Sequence, residues 1–234
     1  ESDRPTLFLL AVEDIWHTAP ESLPSGFGQG LDVVEYASIE ELRGHFSQSE
    51  AGIALIDETN SLDLPLEQWN PQAVLHQIDF QRRGKTTYEQ SCVREANRRA
   101  VPAHRAAHSA FMAGASELQI AAAYLAACDQ SENEMPYGII AGVNEHAAVL
   151  HHHNLFKQPQ TPRSFLIDAG VEVNGYASDI TRTYAYDSGS DFAAMIELMN
   201  KKQLELCAEG GIGKSPVDLH VLSQHKIAEV LIDF

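Results

Sequence analysis

The pair Asn174-Gly175, inside the run FLIDAGVEVNGYASDITRTY from Phe165 to Tyr184, constrains the fold more than any other feature of the chain. Both central positions of a type I′ turn need positive φ, which Asn and Gly tolerate, so the run is predicted to fold back on itself as a two-residue hairpin. Val173 then faces Tyr176, Gly170 faces Asp179, and Asp168 faces Thr181. Because strand side chains alternate, Phe165, Ile167, Ala169, Val171 and Val173 share one face with Tyr176, Ile180 and Tyr184. That face is core. Asp168, Gly170, Asp179, Thr181 and Thr183 fall on the other, with the two aspartates as diagonal neighbours about 7 Å apart between backbones.

Two carboxylates so placed repel each other unless water, a shared proton or a cation intervenes. A solvated polar face is the plain reading. Gly170 speaks for the cation, since it removes the side chain opposite Asp179 and is expected to leave room above the sheet. Thr181 adds a hydroxyl beside Asp168. Oxygen donors in this arrangement suit one or two hard divalent ions, although two carboxylates cannot close such a shell alone. The histidines are less decisive. His151, His152 and His153 are consecutive on a predicted strand, so at most two point the same way, and such a run can be solvated, hydrogen-bonded or ligating. His104 and His108 are four apart on a predicted helix, but no Glu stands at the HExxH position.

The rest of the chain supports a globular protein with helices around that hairpin. TLFLLAV, LDVVEYA and AGIALID read as three short strands, Ser38 with Glu41 as a helix start between the last two, and PESLPSGFGQG as a surface loop. This is a small α/β unit ending near residue 75. From Lys85 the pattern becomes helical. Thr86 with Glu89 caps a run whose Val93, Ala96, Ala100, Ala103 and Ala107 recur at helical intervals to Gly114, with a kink expected at Pro102. Ser116 with Gln119 starts a second, antiparallel helix. GIIAGV and HAAVLHHH then read as strands ahead of the hairpin, and FAAMIELMNKKQLELCAEGG and SPVDLHVLSQHKIAEVLIDF as two closing helices, the first stopped by Gly210 and Gly211.

Charge and cysteine content narrow the function. With 33 acidic against 16 basic residues the formal charge is −17, which repels nucleic-acid backbones and anionic membranes. Cys92, Cys128 and Cys207 are odd in number and far apart, unlike a disulfide framework or a zinc knuckle, and fit a reducing compartment. No apolar run approaches the roughly 20 residues that span a bilayer.

With these residues assembled, the chain resembles the bacterial Xaa-Pro dipeptidases, or prolidases, and the similar organophosphorus acid anhydrolases, members of the pita-bread metallopeptidase superfamily. The resemblance is carried by DAGVEVNGYASDITRTY at 168 to 184, PYGIIAGVNEHAAVLH at 136 to 151, KTTYEQSCVREANRRA at 85 to 100, and EDIWH at 13 to 17. It implies an α+β fold: part of an α/β amino-terminal domain over 1–75, then an incomplete pita-bread catalytic domain over 76–234. It implies two divalent metal ions, usually manganese, with Asp168 the bidentate ligand to one and Asp179 the bridge between both. His151 matches the substrate-side histidine that holds the scissile carbonyl or developing charge, and Tyr137 a residue lining the small or leaving-group pocket. His152 stands where a Tyr is common.

The implied substrate is a dipeptide with a carboxyl-terminal proline, the implied location the cytoplasm, and the implied assembly of the intact enzyme a homodimer, with no nucleic acid or membrane partner. The family completes its metal shell with one His and two Glu from later segments. The chain therefore reads as an internal portion of a prolidase-like enzyme, inactive alone and unable to bind its metals fully; His220 and His225 align with an intervening helix and are not promoted to ligands. Phosphotriester hydrolysis is a possible second activity of the same site. Metal-free pita-bread peptide-binding modules and the creatine-hydrolysing branch lose the aspartate pair, which disfavours both.

Overall fold

Residues 4–10, 30–47 and 53–233 are described by the structure, a computed structural model that divides into two units at Gly84 and Lys85. In the first unit Thr6–Leu10 (β1) pairs in parallel with Asp32–Tyr36 (β2). Helix α1, Ile39–Ser47, starts as expected on Ser38, whose hydroxyl accepts from the Glu41 amide, while the Glu41 carboxylate reaches back to the amide of Ala37. Phe8 meets His45 and Phe46 edge-on and tilted, with ring centroids 5.0 and 5.3 Å away. The predicted loop PESLPSGFGQG lies outside the described residues except for Gly30, and the EDIWH run lies outside them entirely.

The third predicted strand, AGIALID, is a correction. Its described part pairs only at an isolated bridge between Leu55 and Trp69. The chain there is held by side chains instead. Asp57 accepts from the Asn60 and Ser61 amides, the Ser61 hydroxyl and the Trp69 indole, and Asn70 donates to its carbonyl. An aspartate that takes three donors within four residues and an indole twelve residues away favours a turn over a strand ladder. Helix α2, Gln72–Arg83, follows and was not anticipated.

The second unit opens with α3, Thr87–Met112, and α4, Glu117–Cys128. Both begin with the full capping boxes expected at Thr86–Glu89 and Ser116–Gln119, each a device that contributes about 1 kcal/mol. The helix runs on through Pro102. Its buried face is Cys92, Ala96, Ala100, Ala103, His104, Ala107 and Phe111, so Cys92 takes the place expected for Val93. The alanines let α3 approach both α4 and the sheet closely.

That sheet has the order β3-β4-β7, with β3 Ile140–Val143, β4 Ser164–Ala169 and β7 Ile180–Ala185, all antiparallel. The Asn-Gly hairpin forms in the predicted register: Asp168 pairs with Thr181 and Val173 with Tyr176, and Asn174 and Gly175 take φ of 52° and 81°. The ladder breaks at Gly170, so Glu172–Val173 (β5) and Tyr176–Ala177 (β6) form a separate short pair at the tip. Phe165, Ile167, Ala169 and Val171 are fully buried with Phe111, Ile120 and Tyr124, and Phe111 stacks on Phe165 at 5.1 Å. Burial of each large side chain there contributes roughly 1.5–3 kcal/mol.

Beyond Ser190, which caps the helix, α5 (Asp191–Glu209) and α6 (Pro216–Asp233) pair through Lys202–Glu229 and Lys226–Glu205 contacts of 2.5 and 2.6 Å. None of α5 is buried, and an apolar groove of about 680 Å³ runs between Tyr184, Phe192, Met195, Ile196, Met199 and Ile227. No helix among the described residues is long and apolar enough to cross a membrane.

Candidate functional site

The end of the sheet beside the hairpin break brings three of the four predicted site residues together. Asp168 sits on β4, half-buried, and Asp179 immediately before β7, exposed. Tyr137 lies in the loop leading into β3, whose first residue Ile140 is the ladder partner of Asp168. Its hydroxyl is 2.9 Å from Asp168 Oδ1 and 2.9 Å from Asp179 Oδ1. One phenol oxygen therefore holds both carboxylates within twice that distance of each other. The second oxygen of Asp168 accepts from Thr181 Oγ1 at 2.9 Å, as the register implied.

A phenol carries one hydrogen, so it is shared between two acceptors that would otherwise repel. Burial first, and then the two carboxylates, push the Tyr137 phenol well above the ordinary tyrosine range, which keeps it a donor. The space expected above Gly170 is a correction. A Cβ at Gly170 would lie 2.0 Å from the Ser178 carbonyl oxygen and 3.0 Å from Tyr137 Cε1 and Pro136 Cγ. Gly170 is needed because backbone and tyrosine close over it, and the open side of the aspartate pair lies elsewhere. The donor set fits a hard divalent cation: it is all oxygen, carries two negative charges, and leaves the second oxygen of Asp179 with no hydrogen-bond partner among the described residues.

Behind β4, His104 is 6% exposed and its Nε2 is 3.3 Å from the carbonyl oxygen of Ala169. Burial pushes this imidazole below its usual value, so it stays neutral and Nε2 donates. His108 stacks on Tyr184 at 4.3 Å, so the two helix histidines do not form a ligand pair.

Among the described residues no hydrogen bond or ring contact joins His151 to Tyr137 or to either aspartate. The predicted strand HAAVLHHH is instead a short 3₁₀ helix, Asn144–Ala148, followed by a turn through His151 and irregular chain. His151 and His153 are exposed with ring centroids 6.1 Å apart, while His152 between them is buried. The alternation of the three survives although the strand does not.

His152 turns in toward a residue that sequence reasoning missed. Glu117, 1% exposed at the start of α4, receives four hydrogen bonds. Its Oε1 accepts from the Val143 amide at 2.9 Å and lies 2.7 Å from His146 Nδ1; its Oε2 accepts from the Phe156 amide at 2.9 Å and lies 2.8 Å from His152 Nε2. The two imidazoles stack at 4.5 Å. Their ligand atoms and the carboxylate lie within 4.8 Å of one another, a grouping that could hold a metal. Each carboxylate oxygen already takes two donors, however, which makes the cluster a closed hydrogen-bond set. Only a glutamate in the first turn of a helix marked it in the sequence, and that is ordinary for a helix start.

Burial alone would raise the Glu117 carboxyl, but the amides of Val143 and Phe156 and the rings of His152 and His146 outweigh it and hold the carboxyl below its usual value of 4.5. A folded value lowered in this way contributes stability that is fully present above the unfolded value and is lost as pH falls through the folded one. The urea midpoint is therefore expected to fall more steeply below about pH 4.5 in the parent than in Glu117→Gln. Equal slopes would show that this carboxyl adds nothing.

The sequence model of the family described as Metallopeptidase family M24 matches residues 91–231, more than half of the chain and all of the aspartate site. The chain belongs to metallopeptidase family M24. A second model, described as the Xaa-Pro dipeptidase N-terminal domain, matches residues 1–80. This M24 chain is 41% identical over 235 residues to the Xaa-Pro dipeptidase of Cronobacter sakazakii, covering 98% of the chain and 53% of that protein. It is likewise 41% identical to the Xaa-Pro dipeptidase of Pseudoalteromonas haloplanktis, covering 100% and 54%. The chain thus spans about half the length of the curated relatives it matches. Among solved structures it is similar to the prolidase from Pyrococcus furiosus, with a TM-score of 0.69 at 19% identity over 97% of this chain and 66% of that one. The X-Pro aminopeptidase from Thermotoga maritima gives 0.66 at 16%, again over 97% and 66%. The fold is that of the pita-bread M24 domain, preceded by the amino-terminal domain.

Proposed function

We propose that the full-length protein, of which this M24 chain is about half, is a dinuclear metal-dependent dipeptidase that cleaves Xaa-Pro dipeptides, with manganese as its metal. The observation that carries the reading is the Tyr137 hydroxyl, which reaches both Asp168 and Asp179 and so turns two carboxylates toward one point. The names of the relatives support the substrate. In this reading Asp168 and Asp179 are the ligands, and metals held there supply Lewis-acid polarisation of the scissile carbonyl and a water acidic enough to attack at neutral pH. Thr181 fixes the rotation of the Asp168 carboxylate, and Tyr137 does so for both. Tyr137 also closes the small side of the substrate pocket. His151, exposed and without a hydrogen-bond partner of its own among the described residues, meets the substrate at the scissile carbonyl.

The amino-terminal domain is read over 1–75 and the catalytic portion from 76. The substrate is a dipeptide with a carboxyl-terminal proline, the location the cytoplasm, and the assembly a homodimer. The same carboxylates would serve phosphotriester hydrolysis. Two carboxylates fall short of the six or so oxygens that a hard cation takes, so the 234-residue chain alone is inactive. The test is an assay of the full-length protein on Xaa-Pro dipeptides with the chain alone beside it. Hydrolysis that a chelator abolishes and manganese restores is expected only for the full-length protein. Turnover that survives metal removal, or none with any divalent ion, would overturn the reading.

A further inference from the structure

We propose that Glu117 is a positioning residue for the substrate-side histidine: through its buried four-donor cluster it fixes the segment 143–156 and thereby places His151. The inference rests on the Xaa-Pro dipeptidase reading of the site. Val143 ends β3 and Phe156 rejoins helix α4, where its carbonyl also accepts from the Leu118 amide at 3.1 Å. Both amides end on one carboxylate, so Glu117 closes the loop at its two ends. The first residues of the loop have other anchors, since Asn144 bonds to Thr161 and Arg163. From Ala147 to Leu155 the sole hydrogen bond to another part of the protein, among the described residues, is His152 to Glu117. Leu155 adds packing against the core, while Val149 and Leu150 are 50% and 83% exposed. His151 is therefore held from the next residue along.

The chemistry of the cluster makes it rigid. An ionised carboxylate accepts only, so the ring nitrogens facing it carry hydrogen: Nδ1 of His146 and Nε2 of His152. All four lone-pair positions of Glu117 are then filled, two of them by backbone amides that have no second tautomer. Glutamine has the same shape but cannot satisfy this set. Whichever way its amide is turned, the NH₂ group meets the amide hydrogen of Val143 or of Phe156, and that end of the loop is released.

The test is a double-mutant cycle in the full-length enzyme, with Glu117→Gln, His151→Ala and both together, reading kcat, KM and bound metal. Misplacing a group by about 1 Å costs on the order of 10²-fold, so Glu117→Gln is expected to lower kcat/KM roughly 10²-fold with metal content unchanged. In the His151→Ala background the same change is expected to cost less than about 2-fold, since its effect passes through a side chain already gone. Losses that multiply, a lowered metal content, or unchanged kcat/KM would each overturn the assignment while leaving the dipeptidase reading intact. A parent enzyme inactive on Xaa-Pro dipeptides would overturn both. Should Glu117→Gln not fold, His152→Asn removes one arm alone, and the same cycle with that variant decides by the same criteria.

Discussion

Asp179→Asn in the full-length enzyme is expected to abolish loading of two metal ions and to lower turnover on Xaa-Pro dipeptides by at least roughly 10³-fold, because loss even of groups that merely support a ligand costs about 10–100-fold. The substitution keeps the shape of the side chain and its hydrogen bond from Tyr137, since the amide oxygen still accepts. What it removes is one of two negative charges and one of the two oxygen donors. The same change relieves repulsion between carboxylates that share a single phenol hydrogen. Metal-free stability is therefore expected to be equal or slightly higher, measured by urea unfolding, while binding and turnover are lost. That opposite movement separates a ligand from a structural residue. Normal two-metal stoichiometry and turnover in Asp179→Asn would remove Asp179 from the site.

How much of this was legible in the sequence depended on how far each interaction reaches along the chain. The hairpin register followed from Asn174-Gly175 and a period of two, both local, and the helices α3 and α4 followed from capping boxes whose two members stand three residues apart. The two strands that failed, AGIALID and HAAVLHHH, have strand-like composition but owe their conformation to side chains that take over the backbone. Asp57 does this with donors up to 12 residues away, and Glu117 with donors 26 to 39 residues away. Periodicity is blind to both. In HAAVLHHH the apolar Val149 and Leu150 are exposed and the buried member is His152. Helix α2 has an apolar stripe of Val74, Leu75 and Ile78, but it opens at Pro71 with no side-chain cap, so no capping box marked its start. Asp168 and Asp179 were legible as a pair, and Tyr137 was expected only as a pocket residue, not as the link between them. Tyr137 is 31 residues from one and 42 from the other, and only the pairing of β3 with β4 brings it near.

Gly170 links that pairing to stability, and Gly170→Ala is expected to be among the most damaging single-methyl additions in the chain. Its Cβ would stand 2.0 Å from the carbonyl oxygen of Ser178, a backbone atom that no side-chain rotation can clear. Ser178 is itself fixed, since its amide donates to the Val171 carbonyl at 2.9 Å and its hydroxyl accepts from the Val171 amide at 2.9 Å. Relief therefore requires the two hairpin arms to part where the ladder is already broken, carrying Asp168 and Asp179 away from each other and pushing against Tyr137, 3.0 Å distant. Large destabilisations come from overpacking of this kind, which costs about 1–3 kcal/mol in a side-chain core and more against backbone. A loss of more than roughly 3 kcal/mol in urea unfolding is expected. Gly138→Ala is the control, because a Cβ there meets nothing within 4 Å, and it is expected to change stability by less than about 0.5 kcal/mol. If Gly170→Ala were as mild as Gly138→Ala, the close approach at the break would be absent. In the full-length enzyme Gly170→Ala is also expected to lose metal and activity with stability, since parting the arms separates the aspartates and the added methyl group crowds Tyr137.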